Sequence, residues 1–354
     1  MSQPDLSLSA VPSLRPQPVW IAAGAVALLY ALPMVASGYW LNAIILPFLI
    51  LSLAGLGLNL LTGYAGQLSL GSGAFMAIGA YATFLLATHA SWLPLPVALV
   101  VAGLIAGLAG AVAGLPSLRI KGFYLIVGTL ALQFFVEWLF LKFPFFYNGN
   151  SSGTIALANL SAFGIDLSGD HGRYWLALTA ILPLTLIARN LVRHGPGRSW
   201  MAIRDMDTAA AVIGIPVARA KITAFAVSSF YLGIAGALWA FAYLGTASVQ
   251  SFGLTRSYQI LFIIILGGMG SLSGAFLGAA FVSLLPIALD VAFQHLFAGQ
   301  VDAGLLQNLQ KVIFGALIIW FLIREPEGLA RLLTDLAAGL GRRAGFRKPD
   351  QPAA

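Results

Sequence analysis

Residues 197–244, GRSWMAIRDMDTAAAVIGIPVARAKITAFAVSSFYLGIAGALWAFAYL, decide how the rest of the chain is read. The stretch begins as a short polar segment with both signs of charge. It runs without a break into an apolar segment long enough to cross a bilayer. Arg198, Arg204, Asp205, Asp207, Arg219 and Lys221 lie here between long uncharged runs, in a chain with only 19 Lys or Arg and 12 Asp or Glu. The polar part therefore sits at a membrane surface, where a partner outside the membrane can touch it.

Composition agrees along the whole length. Of 354 residues, 59% are hydrophobic and 9% charged, and mean hydropathy is +0.90; a soluble domain carries about 25% charged residues. Residues 93–115 are apolar on every face instead of alternating, which excludes barrel strands and leaves helices, whose backbone groups are satisfied within the segment. Runs of this kind predict spans at 19–37, 41–61, 68–88, 94–115, 122–141, 173–192, 218–243, 256–268, 274–295 and 304–323. With both ends inside, Lys142, Arg173 and Arg256 fall outside, while nearly all other Lys and Arg fall on the cytoplasmic side, as cytoplasmic loops prefer.

The expected fold is an all-α integral membrane protein, a polytopic bundle of about ten transmembrane helices with both termini cytoplasmic. Residues 1–18 read as a flexible cytoplasmic tail, 19–323 as the membrane domain and 324–354 as a second cytoplasmic tail. Within the membrane domain, 143–172 is a periplasmic loop and 194–217 a cytoplasmic segment. This topology accounts for the net charge of +7 without nucleic acid, and the basic end of the second tail suits anionic membrane lipid.

Several chemistries are excluded. There is no cysteine, hence no disulfide, thiolate zinc site or thiol nucleophile. His89, His171, His194 and His295 stand far apart and give no metal spacing. No lysine is followed by Ser or Thr, so the chain lacks the phosphate loop that would let it use ATP itself. Ser168, Asp170 and His171 crowd one short loop, whereas hydrolysis needs fixed partners. No catalytic residue, metal or bound cofactor is expected on this chain.

Three stretches remain for function. In 199–217, Ser199 is placed as an N-cap, Gly214 just past the helix end and Pro216 beyond it. About fourteen helical residues, roughly 21 Å, lie between, with Trp200, Ile203 and Met206 on one flank. This is either a lever that fits a cleft in a soluble partner or a charged loop at the headgroups. In 61–75, Gly63, Gly66 and Gly71 permit irregular backbone at membrane depth, which is tolerated along a wet cavity or inside protein. Tyr64, Gln67, Ser69 and Ser72 then line a solute pathway, or the stretch is a tight turn with close packing. In 267–278, Gly270, Gly274 and Gly278 recur every four residues and allow close helix approach. Of the ionisable residues Glu137, Asp290, Asp302 and Lys311 in or beside spans, Glu137 either meets a solute ammonium or pairs with Lys142.

Residues 63–81, GYAGQLSLGSGAFMAIGAY, 201–238, MAIRDMDTAAAVIGIPVARAKITAFAVSSFYLGIAGAL, and 265–279, ILGGMGSLSGAFLGA, resemble permease subunits of branched-chain amino acid ABC importers of the Leu/Ile/Val permease M type. The likeness extends over most of 40–330. It implies an import channel in the bacterial inner membrane, built from this chain and a related second permease, two cytoplasmic ATPase subunits that bind ATP and Mg, and a periplasmic solute-binding protein. The segment Arg204–Gly214 is then the coupling helix in the ATPase cleft, with Arg204, Asp205, Asp207, Ala209, Ala210 and Gly214 as its coupling residues. Asp207 and Thr208 stand where the motif often has one acidic residue before its Ala pair, Ser72 where relatives often have His, and Ala275 where many have Pro. The implied solute is a branched-chain or related amino acid, with urea, amides or aromatic acids as alternatives. An ion-coupled secondary transporter would need more intramembrane acids, and a membrane enzyme a clustered catalytic set.

Overall fold

The computed structural model describes residues 19–90, 92–120, 122–149, 153–157, 160–162, 164–297, 303–324 and 328–332. The tail 1–18, Lys121, Asp302 and residues 333–354 lie outside them, as does the side chain of Lys311. The chain forms two compact units, one of residues up to Ser37 and one from Gly38 onward.

The first unit holds α1, Val19–Ala31, followed by a 3-10 turn at Leu32–Met34. The expected span 19–37 is thus a helix of 13 residues. Pro33, which has no N–H to give, stands at its end.

In the second unit, π-helical turns flank α2 (Leu46–Asn59) at Trp40–Ile45 and Leu60–Tyr64. Then come α3 (Ser72–His89), α4 (Leu95–Ala113), α5 (Phe123–Lys142) and α6 (Asp170–Arg193). The surface helix α7 (Gly195–Val212) leads into α8 (Val217–Leu238), which is prolonged by a π-helical turn at Trp239–Leu244. A 3-10 turn at Val249–Phe252 precedes α9 (Leu254–Gly267), and α10 (Leu272–Phe297) and α11 (Ala303–Arg324) follow. The strands among the described residues are two-residue pieces. β1 (Ile155–Ala156) pairs antiparallel with β4 (Thr246–Ala247), and β2 (Ser161–Ala162) with β3 (Ile165–Asp166).

The protein is therefore an all-α, multi-pass membrane protein. Among the described residues seven helical segments are long and apolar enough to cross a membrane, against ten expected. The shortfall has visible causes. Among the described residues α1 has 13 residues, and α3 opens on Ser72-Gly73 and closes on Thr88-His89.

Trp40–Tyr64 and Val217–Leu244 form the centre, each 83% buried along its most apolar stretch. Lipid tails are as apolar as leucine, so helices associate here through close packing more than through exclusion of water. Small residues make that possible. A Cβ on Gly57 of α2 would stand 2.7 Å from the Tyr231 Cβ of α8, and one on Gly79 of α3 would collide with Gly233 of α8. The outer helices turn Leu104, Leu108, Phe134, Phe135 and Trp138 outward, as a lipid-facing surface requires.

Candidate functional site at the glycine junction

The two glycine-rich stretches meet. After α2 the chain makes its π-helical turn and then runs irregularly through residues 65–71 before α3 starts. Gly66 has φ +68°, the left-handed region that glycine adopts without strain. The turn closes through Gln67 N–H donating to Leu61 O at 3.1 Å and the Thr62 hydroxyl donating to Gln67 O at 3.1 Å. The expected continuous span from residue 68 therefore begins at Ser72 instead.

Opposite it, Gly270 has φ +79° and lies before α10, so it does not share a helical face with Gly274 and Gly278. Gly274 packs against the Gly267 and Gly268 carbonyls at 2.6 and 2.8 Å from its Cβ position, and Gly278 against Ile263. Both bring α10 against α9. Gly270 serves another contact: its N–H donates to Asn59 Oδ1 at 2.9 Å, while Asn59 Nδ2 donates to Ser271 O at 2.7 Å. Asn59 is fully buried. A Cβ on Gly63 would collide with both the Asn59 side chain and Gly270 N. One buried amide thus stitches the end of α2 to the loop before α10.

α7 reaches this junction from the surface. Arg204 Nη1 donates to Gly63 O at 3.0 Å, and the same side chain lies against Gly66 and, at 3.3 Å from its Cβ position, Gly270. Arg204 Nε also donates to Asp205 Oδ1 at 3.0 Å. That pair is 40% and 68% exposed, which limits it to about 0–1 kcal/mol. Buried Trp200 and Ile203 anchor the first half of the helix, the indole N–H of Trp200 reaching Thr223 Oγ1 at 3.4 Å. Lys221 Nζ pairs with Asp207 at 3.4 Å from a site only 8% exposed.

Two local expectations about α7 are corrected, and the one for Gly214 holds. α7 starts at Gly195 with Pro196 in its first turn, where a missing N–H costs nothing, and Ser199 is no N-cap because its hydroxyl donates back to Gly195 O at 3.0 Å. Met206 leaves the helical region at φ −160°, ψ 102°, which kinks α7 and turns this side chain 62% outward, away from the flank of Trp200 and Ile203. Gly214 stands just past the end with φ +87°, and Ile215 N–H bonds back to Ala210 O at 3.0 Å. Ala210 is buried and Ala209 exposed. Beyond the kink, Val212 and Ile213 are 87% and 74% exposed, an apolar ridge the sequence reading had not singled out.

The start of α3 is capped by side chains from elsewhere. Gly73 N–H donates to Ser257 Oγ at 2.8 Å and Ala74 N–H to Gln133 Oε1 at 2.6 Å. Gln133 Nε2 donates to Phe252 O at 2.9 Å, Ser257 Oγ to Gln133 Oε1 at 3.1 Å, and Leu70 N–H to Thr129 Oγ1 at 3.0 Å. The orphan N–H groups of a helix end buried inside the protein need such partners. Gln67, Ser69 and Ser72, expected along a solute pathway or in a tight turn, take no part in this capping. Ser69 accepts from Gly71 N–H at 3.2 Å, while the buried side chains of Gln67 and Ser72 make no hydrogen bond. The available signal was Thr129, Gln133 and Glu137 at helical spacing in an apolar run. Tyr64 is buried at the end of its π-helical turn. Glu137 is half-buried one turn beyond Gln133 and makes no ion pair with Lys142. Outside the bundle, Ser168 is engaged with the loop backbone, and its bonds hold the exposed Asp166 carboxyl below the usual carboxylate range. No metal-ligand cluster occurs among the described residues.

Comparison with known proteins gives the following. The family described as branched-chain amino acid transport system / permease component matches residues 40–322. The high-affinity branched-chain amino acid transport system permease protein LivM of Escherichia coli is 32% identical over 298 residues, covering 78% of this chain and 66% of LivM, and LivM of Salmonella typhimurium gives the same figures. The autoinducer 2 import system permease protein LsrC of an Enterobacter species is 31% identical over 226 residues, covering 60% of this chain and 62% of LsrC. The chain thus spans just under two thirds of the length of these relatives. No solved structure matches it.

Proposed function

The chain belongs to the family of branched-chain amino acid transport permease components, and we propose that it is a permease subunit of an ATP-binding-cassette importer in the bacterial inner membrane. It carries a branched-chain or related amino acid by alternating access, and it catalyses no reaction itself. ATP and Mg are bound by two separate ATPase subunits, a related second permease completes the channel, and a periplasmic binding protein delivers the solute.

The observation that carries this reading is the bond from Arg204 on α7 to Gly63 in the broken stretch after α2. A helix at the surface is latched to irregular backbone inside the bundle, so a push on α7 is felt where the glycine stretches meet. The kink at Met206 separates the anchored half of α7 from the half bearing Val212 and Ile213. That second half, with Asp207, Ala209, Ala210 and Gly214, is the part that fits an ATPase cleft, and Asp205 stands just before the kink. Gly63, Tyr64, Gln67, Ser69, Ser72 and Glu137 are the proposed pathway residues. Gln67 and Ser72 support this best, because a buried polar group without a partner in one state is free to find one in another. Gly274 and Gly278 keep α9 and α10 in contact meanwhile.

The second reading is an importer of the same class for urea, amides or aromatic acids; LsrC, whose name carries autoinducer 2, is a relative named for a solute other than an amino acid. The test is uptake of radiolabelled leucine, with urea and benzoate in parallel, into proteoliposomes holding the chain, its co-purifying partners and binding protein. ATP-dependent leucine uptake is expected. Leucine uptake without ATP or partners overturns the importer reading.

A further inference from the structure

At the far end of α8, 22 residues or about 33 Å from the surface helix, one cation lacks an anion. Arg256 stands half-buried in the first turn of α9, where the helix dipole is already positive. Its guanidinium carbon lies 4.0 Å from the centroid of the Trp239 ring. It donates from Nε to Ser251 O at 3.5 Å and from Nη1 to Gln259 Oε1. No described carboxylate pairs with it. That includes Glu137, although the Gln133–Ser257 bond joins α5 to α9 one residue after Arg256. A half-buried charge at a span end that repels its own helix dipole requires an explanation.

Trp239 supplies a second, independent observation. Its indole is only 4% exposed, and its Nε1–H has no acceptor. Indole nitrogen can only donate, so this is an orphaned donor in the very ring on which the guanidinium rests. The residue opens the π-helical turn Trp239–Leu244, a distortion that recurs at functional sites. Within the same turn Tyr243 leans on it, with ring centroids 4.6 Å apart.

We infer that Arg256 and Trp239 form the carboxylate subsite for the transported solute. The guanidinium provides the charge and a planar donor fork that matches a carboxylate. The Trp239 N–H provides a further donor, and the Tyr243 and Trp239 rings an apolar wall for the body of the solute. Among the described residues no Lys or Arg is recorded acting on Arg256, so one negative charge is matched and a phosphate dianion is not. The inference rests on the permease reading and narrows its solutes to those bearing a carboxylate, disfavouring urea and simple amides.

The test uses the full chain with its partner subunits in native membrane vesicles. Phenylglyoxal modifies accessible arginines, and peptide mass spectrometry gives the rate at Arg256, with Arg173 as the internal control. Leucine, 4-methylpentanoate and benzoate should slow modification of Arg256 by about fivefold or more, as a charge-assisted bond implies. Leucinamide, benzamide and urea should leave it unchanged, and Arg173 should respond to none. Equal protection by the amides, no protection by any carboxylate, or an Arg256 that never reacts each overturns the subsite. In the proteoliposome assay, Arg256→Gln should raise the half-saturating concentration of the carboxylate solute about tenfold, Arg256→Lys should recover part of this, and Trp239→Phe should cost a few-fold. Carboxylate-selective protection with no ATP-dependent uptake would sink the importer reading alone. Uptake without such protection would sink the subsite alone.

Discussion

The guanidinium of Arg204 and the backbone carbonyl of Gly63 are joined by a 3.0 Å hydrogen bond across 141 residues of chain. A backbone acceptor cannot be changed by mutation, so the arginine is the experimental handle on this link. Arg204→Ala should leave the protein in the membrane while solute carried per ATP falls. Site-to-site couplings of about 1–3 kcal/mol correspond to roughly 5- to 150-fold. Arg204→Lys keeps the charge but not the fork, and should lie between. Transport stoichiometry in proteoliposomes is the readout, and an unaltered ratio in the alanine variant would remove α7 from the coupling path.

Gly63 and Gly214 separate packing from backbone conformation. A Cβ at Gly63 collides with Asn59 and Gly270, whereas Gly214 has open space around it and a φ of +87°. Gly63→Ala should therefore cost overpacking, about 1–3 kcal/mol or more. Gly214→Ala should cost only the left-handed strain, about 1–2 kcal/mol. Thermal unfolding in detergent should show the larger drop for Gly63→Ala; equal drops would mean that the two glycine stretches are not in firm contact.

Gln133 and Gln67 are both buried amides, but only Gln133 is bonded. Gln133→Leu strands the Ala74 N–H and the Phe252 carbonyl, at about 1–3 kcal/mol for each unpaired group. Gln67→Leu strands nothing and should be neutral for stability while changing uptake. A pair of melting curves and a pair of uptake curves would check this. A Gln67→Leu protein that transports as the wild type does would leave the pathway assignment without its best residue.

These contrasts show what the sequence could reveal. Membrane insertion followed from apolar runs with few charges, and the surface helix from its isolated charges, because both depend on composition along the chain. The glycine stretches were visible as glycine but not as partners, since Asn59, which joins them, is an unremarked polar residue at the end of an apolar run. Gln133 and Ser257 were missed for the same reason: their role depends on which N–H groups the fold carries to them. The kink at Met206 had no local signal, as neither Pro nor Gly stands there.

The exposed ridge beyond that kink supports the final prediction. Val212 and Ile213 are 87% and 74% exposed on a segment whose first half is held by Trp200, so nothing among the described residues accounts for two adjacent outward aliphatic side chains. If an ATPase cleft covers them, a carboxylate placed there is buried on assembly without a partner, which costs several kcal/mol. Ile213→Asp should therefore reduce co-purification of ATPase subunits by about tenfold or more, while the free chain, where the position is solvated, keeps its stability within about 0.5 kcal/mol as surface substitutions do. Affinity purification of the tagged chain with its partners, beside a melting curve of the chain alone, measures both terms. Wild-type recovery of the partners would place the docking surface elsewhere, and a destabilised free chain would mean that the ridge is covered within the protein itself.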